Sequence, residues 1–135
     1  MKNIIVFFLF VAISLLSAYS SNGQVNYSVQ FDWDDQYCSC NEPVTKEARV
    51  VVSTYPAGSP VDDSGWFTIS NNPHTHYDNA GGIRDCDDDN PCYTVNVYLR
   101  YKDNTGICCS GSEVENTTGQ SLINGFTLSN TILLN

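Results

Sequence analysis

The chain has 135 residues, with 15 acidic against 6 basic side chains, a net charge of −9 and six cysteines. This length supports one domain, and so much negative charge repels nucleic acid and anionic membrane surfaces, which makes both poor candidates as partners. A domain of this size buries a modest core, so covalent staples matter to it.

The chain opens with Lys2, an apolar run from Ile4 to Leu16 broken only by Ser14, and small residues through Gly23. These are the three regions of a secretory signal peptide. The run has 13 residues, too few to span a bilayer, which needs about 20. Ala18 and Ser20, or Ser21 and Gly23, occupy the −3 and −1 positions of a cleavage site. Cleavage after Gly23 divides the chain into a signal peptide, 1–23, and a single secreted domain, 24–135. Loss of Lys2 with the signal moves the net charge from −9 to −10. No cysteine stands at a lipobox position, and Thr131–Asn135 is too short for a lipid-anchor signal. The expected location is extracellular or at the cell surface, with no membrane span.

Val25, Tyr27, Val29, Phe31 and Trp33 alternate with Asn26, Ser28, Gln30 and Asp32, the period-2 pattern of a half-buried strand. Arg49 to Tyr55 is β-branched and predicts a second strand, and Trp66 to Ser70 a third. The alternation returns at Tyr93, Val95, Val97, Leu99 and Tyr101, followed by Lys102-Asp103-Asn104-Thr105-Gly106 as a hairpin connection. Ser112 to Thr118 is a weaker strand, and Gly125 to Leu134 holds one or two more. Pro56 to Pro60 and Thr117 to Gln120 read as loops. The stretch from Ser70 to Cys92, polar and rich in Asn, Asp and Gly, reads as one long loop, a length uncommon unless it is functional or tied down. No helical periodicity stands out. Together these elements predict an all-β fold, a small disulfide-stapled antiparallel β-sandwich.

Cys38, Cys40, Cys86, Cys92, Cys108 and Cys109 are expected to form disulfides in an oxidising compartment. Pairing Cys108 with Cys109, or Cys38 with Cys40, would be strained. The simplest set joins Cys86 to Cys92 and ties Cys38 and Cys40 to Cys108 and Cys109, in either order. A zinc site is disfavoured, because Cys-x-Cys and Cys-Cys lack the usual ligand spacing.

The sharpest local feature is Asp85-Cys86-Asp87-Asp88-Asp89-Asn90. A Ca²⁺ ion, which takes six to eight oxygen ligands, would relieve the repulsion among these carboxylates, and a Cys86–Cys92 bond would pre-fold the loop around it. Asp32, Asp34 and Asp35 would add ligands if the two segments lie alongside, and Asp62 and Asp63 are a third source. The run is not an EF-hand, since the sixth position is Asn90 and the twelfth is Asn96. The bland reading is a solvated acidic loop. His74, His76 and Asp78, if extended, would face one way as transition-metal ligands do, with two loop histidines as the alternative.

No nucleophile–base constellation is present. Glu42, Glu47, Glu113 and Glu115 are the candidates for a catalytic carboxylate pair, and nothing in the sequence joins any two of them. Tyr37, Tyr77 and Tyr98 lie at loop edges or out of phase on their strands, where rings stack on ligands. Asn26 and Asn116 stand in glycosylation acceptor triplets.

The expected function is therefore a secreted, non-enzymatic extracellular module for binding or surface structure, with calcium as its candidate cofactor and a protein or glycan as its partner. Three alternatives stand beside it. A carbohydrate-binding domain would use the exposed tyrosines. A small secreted hydrolase would use an acid pair or His76. A self-associating filament or coat subunit would pair through Phe126–Leu134, which few charges protect.

Overall fold

A computed structural model describes residues 23–84, 86 and 90–135. Among the described residues the fold is mostly β, with one short helix and three disulfides. In chain order the strands are β1 (Val25–Phe31), β2 (Trp33–Asp34), β3 (Thr45–Thr54), β4 (Pro60–Asp63), β5 (Phe67–Thr68), β6 (His74–Ala80), β7 (Tyr93–Asp103) and β8 (Gly106–Thr117). Helix α1 (Gly119–Gly125) follows, then β9 (Phe126–Thr127) and β10 (Ile132–Leu133).

The larger sheet runs β4-β3-β7-β8, with β5 also on β3. Its antiparallel register sets Val50 opposite Val97, and Val97 opposite Glu113. Ala48, Val50 and Val52 on β3 and Tyr93, Val95, Val97, Leu99 and Tyr101 on β7 all point to the buried face. This is the consequence of their period-2 spacing. The β7–β8 hairpin turns at Asn104-Thr105, and Gly106 takes φ +131°, a conformation that favours glycine. A smaller sheet runs β6-β1-β9 and buries Tyr27, Val29 and Phe31 in the same hydrophobic core.

Besides β4 and the first half of β8, which the sequence does not announce, three segments depart from the sequence reading. The stretch expected as one long loop contains β6, paired along all seven residues with β1 from Val25↔Ala80 to Phe31↔His74. Its polar composition hid it, because an edge strand with a half-covered inner face needs few apolar residues. The loop expected at Thr117–Gln120 begins α1, where the Thr118 hydroxyl accepts a hydrogen bond from Ser121 N at 3.1 Å as a helix N-cap. Seven residues are too few to show helical periodicity. The C-terminal segment pairs parallel, not antiparallel: β9 runs beside β1, and β10 beside β2.

That segment closes the molecule. Leu128 N, Ile132 N and Leu134 N donate to the carbonyls of Gln30, Asp32 and Asp34 at 2.9–3.0 Å, and Asn135 exchanges two backbone bonds of 3.1 Å with Ser110 on β8. Phe126, Leu128, Ile132 and Leu134 are buried. The apolar run offered as a self-association edge thus has those four side chains and much of its backbone engaged within its own chain, while Leu133 stays exposed.

Candidate binding surface

The disulfides staple the two ends of the larger sheet. Cys38–Cys109 and Cys40–Cys108 hold the segment after β2 against β8, beside the hairpin. Cys86–Cys92 lies at the far end, where Cys92 N donates to Thr117 O and Cys92 O accepts from Tyr55 N. There Tyr93 donates its hydroxyl to Gly82 O and accepts from Arg84 N.

This separation bears on which of the expected calcium ligands share one end of the molecule. Asp85, Asp87, Asp88 and Asp89 lie outside the described residues, but their anchors Cys86 and Cys92 adjoin Tyr93 at the start of β7. Asp35 instead bonds Tyr101. Eight residues of extended strand separate these positions, roughly 26 Å at the usual rise. Asp32, Asp34 and Asp35 therefore do not join Asn90 around one ion. Asp34 accepts from Gln36 N and Nε2 at 3.0 and 3.1 Å, and Asp32 is exposed. Asp62 accepts from the Tyr27 hydroxyl at 2.6 Å, and Asp63 holds Arg49. Among the described residues, no group of three or more His, Cys, Asp or Glu is arranged to hold a metal ion.

Asp35 has a structural task. The buried Trp33 Nε1 donates to the Tyr101 hydroxyl at 2.5 Å, which donates to Asp35 Oδ2 at 2.7 Å. Lys46 Nζ reaches the same oxygen at 3.1 Å and lies over the Tyr101 ring. The Tyr101 hydrogen bond, and then Lys46, hold the Asp35 carboxyl below the usual carboxylate range. Burial, reinforced by Asp35, pushes the Tyr101 hydroxyl up.

His74, His76 and Asp78 do share one face, on a strand rather than a loop. The imidazoles flank the Phe67 ring instead of converging: His76 stacks on it at 4.7 Å and His74 tilts at 5.7 Å. His76 Nε2 is buried and has no hydrogen-bond partner among the described residues, since Asp78 Oδ2, at 3.4 Å, lies outside hydrogen-bonding geometry. Burial lowers the pKa of both histidines below the ordinary 6.5, and Asp78 opposes this only in part at His76.

Of the four candidate glutamates, Glu113 and Glu115 lie two residues apart on one face of β8, whereas Glu42 and Glu47 stand apart from them. Glu47 pairs with Arg100 at 2.6 Å and Lys102 at 3.7 Å. Glu113 accepts from Asn130 Nδ2, Glu115 accepts from the Ser129 amide and hydroxyl, and Glu42 accepts from Val44 N. Asn26 and Asn116 are both exposed on strands, Asn116 accepting from the Thr94 hydroxyl at 2.8 Å.

The exposed rings separate into lone and grouped ones. Tyr37 and Tyr77 are 71% and 76% exposed. Tyr98 projects from the outer face of the larger sheet beside a groove of about 290 Å³, lined also by Trp66, Arg100, Ile107, Ser110 and Ser112. The Arg100 guanidinium lies 3.8 Å from the centre of the Trp66 ring, a cation–π contact, while its Nε is fixed by Glu47. Sequence reasoning flagged Tyr98 alone. Trp66 read as a strand residue and Ile107 was not singled out, and only strand pairing brings them together. Arg100, two residues from Tyr98 on the same face, was the available signal. Compared with protein-family models, curated proteins and solved structures, this chain matches none of them.

Proposed function

We propose that this chain is a secreted, non-enzymatic extracellular module, a disulfide-stapled β-sandwich once its signal peptide is removed, that binds a glycan through the outer face of its larger sheet. The carrying observation is the groove at Trp66, Tyr98 and Arg100. Aromatic faces stack on the apolar faces of sugar rings, while Ser110, Ser112 and the guanidinium supply hydrogen bonds to hydroxyls. A concave patch with a few convergent polar groups is the usual form of a small-ligand site. The strands beneath it are hydrogen-bonded along their length, so the lining is pre-organised. Three disulfides suit an oxidising compartment, and no helix among the described residues is long and apolar enough to cross a membrane. The packing of His74 and His76 on Phe67, the pairing of Glu47 with Arg100, and the hydrogen bonds that Glu113 and Glu115 accept from Asn130 and Ser129 support the non-enzymatic reading.

The test is a glycan panel followed by calorimetry on the best hit. Trp66→Ala and Tyr98→Ala each lower the affinity at least tenfold, while the variants keep cooperative melting. Absence of saturable binding to any glycan, or binding indifferent to both substitutions, refutes the assignment. Calcium ordering of the Asp85–Asn90 loop belongs to the same reading, without Asp32, Asp34 or Asp35. Excess Ca²⁺ then raises the melting temperature relative to chelator, and Asp87→Asn with Asp89→Asn removes the shift.

A further inference from the structure

Strand β6 forms the outer edge of the smaller sheet, and among the described residues only β1 pairs with it. The backbone direction at this edge follows from the far side of the sheet. Gln30, Asp32 and Asp34 turn their carbonyls toward the C-terminal segment. In an antiparallel ladder each residue sends its N–H and C=O the same way and neighbours alternate. Val25, Tyr27, Val29 and Phe31 therefore bond β6, through their partners Ala80, Asp78, His76 and His74. Thr75, Tyr77 and Asn79 turn their backbone groups outward. Asn79 agrees: its N–H is met by a side chain, Asp78 Oδ1, at 2.8 Å.

We propose that β6 pairs with β6 of a second copy of this chain, antiparallel and centred on Tyr77, joining the two smaller sheets into one. The sequence His74-Thr75-His76-Tyr77-Asp78-Asn79-Ala80 is self-complementary about its middle residue. Tyr77 meets Tyr77 of the partner subunit in a hydrogen-bonded pair, and Thr75 meets the partner's Asn79. His76 meets the partner's Asp78 in a non-hydrogen-bonded pair, the kind whose side chains come closest. Inward-pointing charged groups commonly keep edges apart. Here the two-fold pairing sets imidazole against carboxylate twice, instead of like against like. It also brings a second carboxylate toward the His76 Nε2, which has no hydrogen-bond partner among the described residues. The Tyr77 rings, 76% exposed in one copy, cover each other on the opposite face. Such an isologous contact closes on itself and yields a dimer rather than a fibre. A seven-residue strand pair buries less than a standard interface, so the association is weak and concentration-dependent.

Sedimentation equilibrium on the oxidised protein, run up to its solubility limit, tests this. The parent shows a monomer–dimer equilibrium. Tyr77→Pro, which removes an outward N–H and leaves the β1 ladder its bonds, raises the dimer dissociation constant at least tenfold with an unchanged circular dichroism spectrum. Cα atoms of a hydrogen-bonded antiparallel pair lie about 5.5 Å apart, within disulfide range. Tyr77→Cys accordingly forms a covalent dimer in air, whereas Tyr37→Cys, equally exposed, does not. A parent monomeric at every concentration, or a dimer that Tyr77→Pro leaves intact, overturns the proposal. Should Tyr77→Pro fail to fold, the Tyr77→Cys crosslink decides: its absence, or equal crosslinking through Tyr37→Cys, overturns the proposal.

Discussion

Replacing Gly111 with alanine tests how the C-terminal segment is seated. Gly111 lies opposite Leu99 on β8, and a Cβ there would collide with the Leu133 carbonyl oxygen and stand 3.3 Å from Ile132 Cγ2. The obstacle is largely backbone, so one strand must move. The movable one is the tail, held to β8 by the two Ser110–Asn135 bonds and seated by Ile132 and Leu134, both fully buried. If the tail shifts in place, overpacking costs about 1–3 kcal/mol. If it is released, four hydrogen bonds at about 1 kcal/mol each, two to Ser110 and two to the Asp32 and Asp34 carbonyls, and two side chains at about 2 each set a ceiling near 8 kcal/mol. An intermediate loss of about 3 kcal/mol is expected, roughly a 12 °C fall in melting temperature at about 4 °C per kcal/mol for a domain this size. Thermal denaturation followed by circular dichroism measures it. Two companions control the reasoning. Leu134→Ala loses about 2–5 kcal/mol, while Leu133→Ala, whose side chain is largely exposed, stays within about 0.5 kcal/mol. A Gly111→Ala protein that melts within about 2 °C of the parent refutes the close seating of the tail on β8.

The neighbouring disulfides are expected to be coupled. With Cys38–Cys109 in place, Cys40–Cys108 closes a very small ring, so losing either alone costs about 2 kcal/mol by loop entropy, and losing both about 6. Urea denaturation of the Cys→Ala pairs checks this, and strict additivity would contradict it. Tyr101→Phe leaves the buried Trp33 N–H without its acceptor, a loss of about 1–3 kcal/mol. It also removes the leading cause of the lowered Asp35 pKa. A carboxylate whose folded pKa is depressed stabilises the fold above its unfolded pKa and loses that as pH falls through the folded one, so the variant should show a smaller Asp35 contribution to acid destabilisation, read by melts between pH 5 and pH 2. For His76, burial favours the neutral form in the fold. The unfolded chain takes up its proton first as pH falls below the ordinary 6.5, so stability declines from there to the lower folded pKa. His76→Gln should flatten that decline in melts at pH 7.5 to 4.5, run in dilute solution, and an unchanged slope would count against the buried placement.

Much of the fold was legible in the chain because its strongest signals are local. The alternation at Val25–Trp33 and Tyr93–Tyr101 marks β1, β2 and β7 directly, since a strand with one buried face must repeat every two residues. Asp103 to Gly106 announces its hairpin, and cysteine geometry narrows the crosslinks to Cys86–Cys92 plus two between Cys38, Cys40 and Cys108, Cys109. The choice of Cys38–Cys109 and Cys40–Cys108 over the reverse belonged to the tertiary structure, because it depends on which way the segment after β2 crosses β8. So did β6, whose polar residues become a strand only when β1 offers its ladder. So did the parallel seating of β9 and β10, which brings residues about a hundred positions apart into register. The surface shows the same division. Sequence alone supplied rings and carboxylates without positions, whereas strand order put Trp66 beside Arg100 and Tyr98, and put Asp35 at the opposite end of the sheet from the cysteines that bracket the acidic loop. Periodicity is a property of neighbours along the chain; which distant residues share a face is set by the register of strands that meet only on folding.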